Sequence, residues 1–202
     1  MARALKRLFD FMVAAGALLA LWPVMLVIAL VIRARMGAPA LFRQERPGYK
    51  GRPFTLYKFR TMTLAAGADA DVARDAERLT PLGRTLRKWT LDELPQFWNV
   101  LRGAVSLVGP RPLLTQYLSR YTPEQARRHD VRPGLTGWAQ VNGRNAQTWE
   151  DRFALDVWYV DHWSLGLDAR ILWRTLASVI KREGIAQEGH ATMPEFMGSE
   201  RR

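Results

Sequence analysis

The sequence contains no cysteine, and this absence excludes several kinds of chemistry. Disulfide bonds, zinc sites with cysteine ligands and catalysis by a thiolate all need the missing side chain. The sequence also lacks internal repeats and low-complexity segments. At 202 residues, we expect one domain of ordinary size with its own hydrophobic core.

Acidic residues are scarce relative to basic ones. The chain has 19 Asp and Glu against 30 Lys and Arg, which gives a net charge of +11. Such an excess predicts a polyanionic partner, and nucleic acid, anionic lipid headgroups and phosphorylated small molecules all fit it. The eight tryptophans favour lipid, because tryptophan is enriched at membrane–water interfaces.

Charge is missing altogether between residues 11 and 32, in the run "FMVAAGALLALWPVMLVIALVI". As a helix this run would be about 33 Å long, close to the thickness of a bilayer's hydrocarbon core. A cleaved signal peptide is disfavoured, because no convincing cleavage site follows a short apolar core. Pro23 lies in the middle of the run, and basic residues flank both of its ends: Arg3, Lys6 and Arg7 before it, Arg33 and Arg35 after it. From these residues alone, a spanning helix and a helix broken at Pro23 that re-enters on the same face are equally compatible with the sequence.

The rest of the chain shows one hairpin pattern and two helical patterns. The aromatic-rich runs "ALFRQ" and "FTLYKFRTM" flank the Pro/Gly turn "RPGYKGRP" and predict a β-hairpin. Residues 63–79 indicate a loop or a marginal surface helix. Residues 149–163 and 168–183 predict amphipathic helices, the second capped by Asp168 and ended by Gly184. Their apolar faces fit either a core or a membrane interface. The tail after Gly189 is expected to be irregular.

Two adjacent carboxylates, Asp92 and Glu93, stand out in the stretch "TLDELPQ". Thr90 and Glu93 have the spacing of a capping box, which is the simplest interpretation of the pair. Pro95 argues against a regular helix that begins at Thr90, because its ring would remove a helical hydrogen bond. We therefore expect either a kinked backbone or a helix that begins later.

Four phrases in order, "KRLFDF", "FRQERPGYKGRPFTLYKFRTM", "LDELPQFWNVLRGAVSLVGPRPLL" and "VRPGLTGWAQVNGRN", resemble the bacterial sugar transferases. These are monotopic phosphoglycosyl transferases that begin glycan assembly on undecaprenyl phosphate. The resemblance runs from about Lys6 to the end of the chain. The tail "EGHATMPEF" is most similar to the small single-domain transferases of bacterial N-glycosylation, which move phospho-bacillosamine.

The resemblance implies a reaction in two steps. Sugar-1-phosphate would pass from a UDP-sugar to the enzyme, with release of UMP, and then to undecaprenyl phosphate. In this family the Asp of the acidic pair is the nucleophile, which corresponds to Asp92 here. The Glu binds Mg²⁺, which corresponds to Glu93. Carboxylates suit both tasks, since they can form acyl phosphates and are ligands that Mg²⁺ prefers.

The resemblance also gives the basic residues a task, because Arg side chains bind phosphate oxygens bidentately. The candidates for phosphate binding are Arg87, Arg111 and Arg144, with Lys58 and Arg60 as weaker members of the same set. For any one of them, a solvated basic surface is the plainer alternative. The three histidines, His129, His162 and His190, are not expected to form a catalytic set.

Together these patterns predict a mostly α fold with a small β-hairpin (α+β). Residues 1–36 would form a re-entrant membrane helix. Residues 37–202 would form a compact catalytic domain, surrounded by amphipathic interfacial helices, on the cytoplasmic face of the bacterial inner membrane. Close relatives break the apolar helix at a Ser-Pro pair, whereas this chain has Trp22-Pro23 and lacks that hydroxyl.

Two alternatives remain open at this stage. A non-enzymatic, membrane-anchored basic protein that binds anionic lipid or nucleic acid would explain the charge, but it leaves "LDELPQ" unexplained. Within the family, the sugar could instead be a hexose for capsule or O-antigen. We expect UDP-sugar, undecaprenyl phosphate and membrane lipid as partners, and no nucleic acid. The oligomeric state is undetermined, and a homodimer is compatible with the sequence.

Overall fold

The computed structural model of the chain describes residues 1–64, 75–143, 147–181 and 195–198. The helices in these residues are α1 (Ala2–Met36), α2 (Asp75–Arg78), α3 (Pro81–Lys88), α4 (Gln96–Leu101), α5 (Pro123–Ala126), α6 (Trp138–Asn142), α7 (Trp149–His162) and α8 (Leu165–Lys181). The strands are β1 (Leu41–Pro47), β2 (Pro53–Phe59), β3 (Ser106–Val108) and β4 (Gly134–Thr136). Short 3₁₀ turns lie at Tyr49–Gly51, Leu91–Glu93, Thr115–Arg120 and Arg127–Asp130. The predicted fold class, mostly α with a small hairpin, is confirmed.

The hairpin forms where the aromatic runs predicted it. β1 and β2 pair antiparallel, from Leu41 opposite Phe59 to Pro47 opposite Pro53. The turn between them contains Lys50 and Gly51 with φ values of 55° and 72°. Lys58 lies on this hairpin, one residue before the end of β2.

A second sheet was not predicted. β3 and β4 pair in parallel, with Ser106 opposite Gly134 and Val108 opposite Thr136. The two chain segments cross very closely here, because a Cβ atom added to Gly109 would lie 2.3 Å from the carbonyl oxygen of Arg132. No larger residue fits such an approach without moving the backbone.

Helix α1 is the longest element, and its helical assignment runs through Pro23 without an interruption. The helix has a mean hydropathy of 2.6 over its most apolar 18-residue window, and 6% of that window is buried inside the protein. It is therefore long and apolar enough to cross a membrane, and it is not a core helix. The predicted break at Pro23 is not visible as an end of the helix.

Both ends of α1 are attached to the rest of the protein. Near its beginning, Ala14 packs in the main hydrophobic cluster with Val100 and Tyr159. Near its end, Ile32 packs with Phe59 and Leu86. The most apolar part of the helix, between these two attachments, exposes large side chains.

Polar contacts strengthen the first attachment. Asp10 is buried, and its carboxylate accepts hydrogen bonds from Ser106 Oγ at 2.8 Å and from the Leu107 backbone N–H at 3.1 Å. Lys6 forms an ion pair with Asp168, with Nζ and Oδ2 2.5 Å apart. The hydroxyl of Tyr159 also donates to Asp168.

The prediction that Asp168 caps the last helix is wrong. α8 begins at Leu165, and Ser164 Oγ accepts the hydrogen bond from the Leu167 N–H. Asp168 lies in the first turn and uses its carboxylate to hold Lys6 instead. The other amphipathic helix, α7, matches its prediction to within one residue. Gly184, the predicted end of α8, and the tail from Gly189 to Pro194 lie outside the described residues.

His129 is a buried histidine that the fold keeps neutral. Its Nδ1 donates to the Gly48 carbonyl oxygen at 3.2 Å, and its Nε2 has no partner within the part of the chain that the structure describes. Burial, reinforced by the neighbouring charge of Arg128, lowers the pKa of His129 from 6.5 to about 4.

We therefore expect acid to destabilise the fold partly through His129. Between pH 6.5 and 4 the unfolded chain takes up a proton on this residue and the folded protein does not. The free energy of unfolding should fall by up to about 3 kcal/mol over that range. The variant His129→Asn keeps a donor for Gly48 and cannot titrate. Its unfolding temperature in detergent should fall less than that of the wild type between pH 7 and pH 4.5, and an equal fall would contradict the assignment.

Candidate active site

The acidic pair lies on a short 3₁₀ turn rather than at the start of a regular helix. Thr90 precedes the turn in the left-handed region (φ 56°, ψ 19°), and α4 begins only after Pro95. The expectation of a break at this proline is confirmed. The capping-box interpretation is wrong, because the Thr90 side chain makes no capping hydrogen bond to the described residues. A β-branched residue at positive φ is a strained conformation, which costs about 1–3 kcal/mol.

Glu93 is held by two cations from different parts of the chain. Its Oε1 accepts from Lys58 Nζ at 2.6 Å and from an Nη of Arg111 at 2.6 Å. Burial opposes the ionisation of Glu93, but the charges and hydrogen bonds of Arg111 and Lys58 outweigh it. The pKa of Glu93 therefore lies well below its usual range. The charge of Glu93 in turn raises the pKa of Arg111, and the pair remains ionised.

Asp92 has a different environment from its neighbour. Its side chain is buried (7% exposed), and its pKa is raised, first by burial and then by the adjacent charge of Glu93. Lys58, Arg87 and Arg111 act in the opposite direction on that pKa. A more basic carboxylate is a better nucleophile, so the two acids are differentiated by their surroundings.

The structure brings three of the predicted phosphate-binding residues to this pair. Lys58 comes from β2, Arg87 from the last turn of α3, and Arg111 from the loop after β3. Arg87 Nε donates to Thr61 Oγ1 at 3.2 Å, and its charge acts on Asp92. Elements distant in sequence thus supply the positive charge around the acidic turn.

Arg60 has a different environment. Its guanidinium donates to three carbonyl oxygens at the end of α1, those of Met36, Gly37 and Ala38, at 2.5 to 3.1 Å. The side chain is buried there and caps the helix, because the last carbonyls of a helix need donors from outside it. We therefore leave Arg60 out of the proposed phosphate site. Arg144 lies outside the described residues.

The histidines do not approach the acidic pair through any contact among the described residues. His129 is buried against Gly48, and His162 stacks on Trp158 with ring centroids 4.4 Å apart. His190 lies outside the described residues. That the three histidines form no catalytic set therefore stays a prediction.

Asn99 is a positioning residue that the sequence analysis missed. Its side chain accepts from the Tyr57 N–H at 3.1 Å and donates to the Thr55 carbonyl at 2.7 Å, so it binds the free edge of β2 as a neighbouring strand would. This fixes the strand that carries Lys58. The only sequence signal was a polar residue within the apolar run "FWNVL".

Arg128 and Asp156 form a second missed element, a buried ion pair at 2.6 Å with side chains 1% and 2% exposed. Arg128 also donates to the backbone carbonyl of Arg111 at 2.8 Å. Breaking such a pair leaves an uncompensated buried charge, which costs about 3–5 kcal/mol. The pair therefore fixes the loop that presents Arg111.

The segment Glu195 to Gly198 packs beside the same loop. Phe196 is buried in a hydrophobic cluster with Tyr117, Phe153 and Leu113. Leu113 lies two residues after Arg111. Arg120 donates to the Phe196 carbonyl at 2.5 Å and to the Glu195 carboxylate at 2.8 Å. This short segment thus packs against the loop that carries Arg111, through the contact of Phe196 with Leu113.

The residues present fit a magnesium ion that arrives with a phosphorylated substrate. Glu93 is ionised and adjacent to a second carboxylate, and both are oxygen ligands. No group of three or more His, Cys, Asp or Glu side chains able to hold a metal occurs in the described ranges. Mg²⁺ is commonly bound by one or two carboxylates, with substrate phosphates completing its coordination.

Sequence comparison places the chain in a known family. The model of the family described as "Bacterial sugar transferase" matches residues 1–182. The chain belongs to the bacterial sugar transferase family. This confirms the resemblance drawn from the four phrases.

Three relatives show the range of this sugar transferase family. The chain is 54% identical over 195 residues to the "Uncharacterized sugar transferase EpsL" of Bacillus subtilis, covering 96% of each chain. It is 46% identical over 186 residues to the "UDP-glucose:undecaprenyl-phosphate glucose-1-phosphate transferase" of Caulobacter vibrioides, covering 87% of this chain and 69% of the relative. It is 39% identical to the "UDP-galactose-lipid carrier transferase" of Erwinia amylovora, covering 90% of this chain and 42% of that longer protein.

Proposed function

We propose that this sugar transferase moves a sugar-1-phosphate from a UDP-sugar to undecaprenyl phosphate, with release of UMP, as the first membrane step of glycan assembly. The enzyme class, a phosphoglycosyl transferase, agrees with the names of the relatives. The observation that supports this reaction best is the acidic turn, with Lys58, Arg87 and Arg111 around Asp92 and Glu93.

The first step of the proposed reaction uses Asp92 as the nucleophile. A carboxylate oxygen of Asp92 attacks the phosphorus that carries the sugar. The bond from that phosphorus to the UMP oxygen breaks, and UMP leaves with the electron pair. The product is an acyl phosphate between Asp92 and the phosphosugar, so one difficult displacement is divided into two.

The second step regenerates the enzyme. An oxygen of the polyprenyl phosphate attacks the same phosphorus, the bond to Asp92 breaks, and the carboxylate is restored. Both steps place negative charge on phosphoryl oxygens in the transition state. Arg87, Arg111 and Lys58 are positioned to stabilise that charge.

Magnesium would be held by Glu93, with Asp92 beside it, and would neutralise charge on the diphosphate oxygens. Glu93 Oε1 accepts hydrogen bonds from Lys58 and Arg111. We infer that these two side chains turn towards the phosphates on binding, because both are cations with a diphosphate as an alternative partner.

A lipid acceptor is supported by the packing beneath the acidic turn. Leu91 and Leu94, on either side of Asp92 and Glu93, pack in the cluster that contains Ile32 of α1. The catalytic turn is thus built directly against the second half of the apolar helix. An acceptor whose phosphate lies at the membrane surface would find the nucleophile at that level.

We further propose that α1 is re-entrant and that the protein is monotopic on the cytoplasmic face of the inner membrane. Lys6 and Asp10 are bound to Asp168 and Ser106, while Met36 is bound to Arg60. Both ends of α1 are therefore held by one domain. The described residues contain no second helix apolar enough to bring the chain back across a membrane. The basic flanks at both ends of the apolar run favour a cytoplasmic position for each of them.

Two classes of sugar are candidates for the transferred group. The tail resembles the transferases that use bacillosamine-type sugars in protein glycosylation, whereas the relatives above are named for glucose and galactose. UMP release from a panel of UDP-sugars, measured with membrane extract and Mg²⁺, separates the two. The non-enzymatic alternative, a membrane-anchored binding protein, predicts no UMP release from any member of the panel.

Replacement of Asp92 by Asn should reduce turnover by at least about a thousandfold, since the amide cannot form the acyl phosphate. Intact-mass measurement with UDP-sugar should show a phosphosugar adduct on the wild type and none on the variant. The control Glu77→Gln removes one exposed acid from α2 and should keep the adduct. Substantial activity in Asp92→Asn at unchanged membrane association would eliminate Asp92 as the nucleophile.

EDTA should abolish UMP release, and added Mg²⁺ should restore it. Replacement of Glu93 by Gln should raise the Mg²⁺ concentration for half-maximal rate by at least about tenfold, because a ligand is lost. Since this change also removes the carboxylate partner of Lys58 and Arg111, Glu93→Asp serves as a second variant that keeps the charge. Full activity in EDTA is the result that would exclude the magnesium site.

Topology can be tested with single cysteines in this cysteine-free chain. Residue 2 is the first residue of α1 and residue 38 follows its end, and cysteines there should both resist a membrane-impermeant thiol reagent in intact cells and react after lysis. Labelling of position 2 in intact cells would mean a spanning helix. Replacement of Pro23 by Leu restores a backbone donor and should shift part of the population towards that spanning form.

A further inference from the structure

A cavity of about 220 Å³ lies at the beginning of α1, away from the acidic turn. Four basic side chains line it, Arg3, Lys6, Arg7 and Arg132, together with the acids Asp10 and Asp130. The remaining lining residues are Tyr49, Ser106, Val131, Tyr159 and Trp163. Neither carboxylate of the catalytic turn nor any of its three cations is among them, so this is a separate site.

The two acids of the cavity are already paired inside the protein. Asp10 accepts from Ser106 and Leu107, and Asp130 accepts from Lys50 Nζ at 2.7 Å. The charge of Asp130 is thus compensated by Lys50, whereas Asp10 keeps its charge and acts electrostatically on Arg7.

Two of the bases also have partners inside the protein. Lys6 is bound to Asp168 and to the Val108 carbonyl. Arg7 donates to the Val100 and Leu101 carbonyls at 2.6 and 2.8 Å, which cap the end of α4.

The other two arginines have donors to spare. Arg132 uses only its Nε, which donates to the Gly103 carbonyl at 2.9 Å, and its guanidinium lies 5.9 Å from the centroid of the Tyr49 ring. Arg3 makes no hydrogen bond or ion pair within residues 1–64, 75–143, 147–181 and 195–198. Two guanidinium groups thus line one cavity without an ion pair to any described residue, and a phosphate oxygen could accept hydrogen bonds from both.

The surroundings indicate where the phosphate comes from. Leu8, Phe9, Phe11 and Met12, which follow directly in α1, all expose their apolar side chains. The cavity therefore lies where the polar start of α1 gives way to its membrane-facing part. The volume accommodates a phosphate group with part of its glycerol.

We propose that this cavity binds the phosphate of an anionic phospholipid headgroup through Arg3 and Arg132. The inference rests on the membrane placement of α1 proposed above. The bound lipid would hold the first turns of α1 at the membrane surface, in addition to the attachment of this helix at Ile32. This role is independent of the chemistry at Asp92.

The test is native mass spectrometry of the full-length protein, purified in detergent and incubated with phosphatidylglycerol or phosphatidylcholine. The wild type should retain one phosphatidylglycerol and no phosphatidylcholine. The double variant Arg3→Gln/Arg132→Gln should reduce retention by at least about tenfold, since hydrogen bonds to charged groups are lost. The matched control Arg33→Gln/Arg170→Gln also removes two exposed arginines, one from α1 and one from the domain, and should stay within about twofold of the wild type.

Further arms separate the remaining outcomes. Arg3→Gln alone loses no contact among the described residues, so its reduced retention cannot come from misfolding. Equal retention in the cavity variant and the control, or equal retention of both lipids by the wild type, would overturn the proposal. If inorganic phosphate raises the unfolding temperature through Arg3 and Arg132 while phosphatidylglycerol does not bind, the lipid source is wrong. Asp92→Asn should keep the lipid, so failure here and failure of the proposed reaction are distinguishable.

Discussion

The contact between Glu93 and its two cations is the interaction on which the site depends. Two adjacent carboxylates in a buried turn carry a desolvation cost of several kcal/mol each unless positive charge is fixed close to them. Lys58 and Arg111 provide that charge at 2.6 Å. Because they come from β2 and from the loop after β3, the hairpin and the small parallel sheet must both be in place before the turn is compensated. Folding of the domain and assembly of the site are therefore the same event.

The parts of the fold that carry no reactive group serve this arrangement. Asn99 fixes the edge of β2, and the Arg128–Asp156 pair fixes the backbone at Arg111. The close crossing at Gly109 leaves the chain with little freedom just before Arg111. A cation held this firmly on one side can change partners from a carboxylate to a phosphate without losing its position. Such preorganisation costs little at the moment of reaction, and this is how fixed charges stabilise transition states most effectively.

Features that depend on neighbouring residues were predictable from the sequence, whereas features that depend on contacts between distant residues were not. The hairpin and α7 follow from local periodicity, and the acidic pair follows from a motif with a proline beside it. The three-residue strands β3 and β4 are too short for any periodic signal. Asp168 has the local pattern of a helix cap, but its contacts with Tyr159 and with Lys6, 162 residues away, give it another role. Arg60 lies two residues after Lys58 in the same basic phrase, so the sequence predicted the same role for both. Because β2 ends at Phe59, Arg60 instead lies beside the end of α1.

The membrane helix and the chemistry are joined by the apolar residues around the acidic turn. Leu91 and Leu94 pack in one cluster with Ile28 and Ile32 of α1, and Phe59 of the Lys58 strand belongs to the same cluster. The distance of Asp92 from the membrane surface therefore depends on the position that α1 takes in the membrane. A soluble nucleotide sugar and a lipid phosphate meet only at the boundary between water and hydrocarbon. An enzyme that transfers a group between them has to act at that boundary, and in the proposed reaction the packing of the acidic turn on α1 would hold Asp92 there.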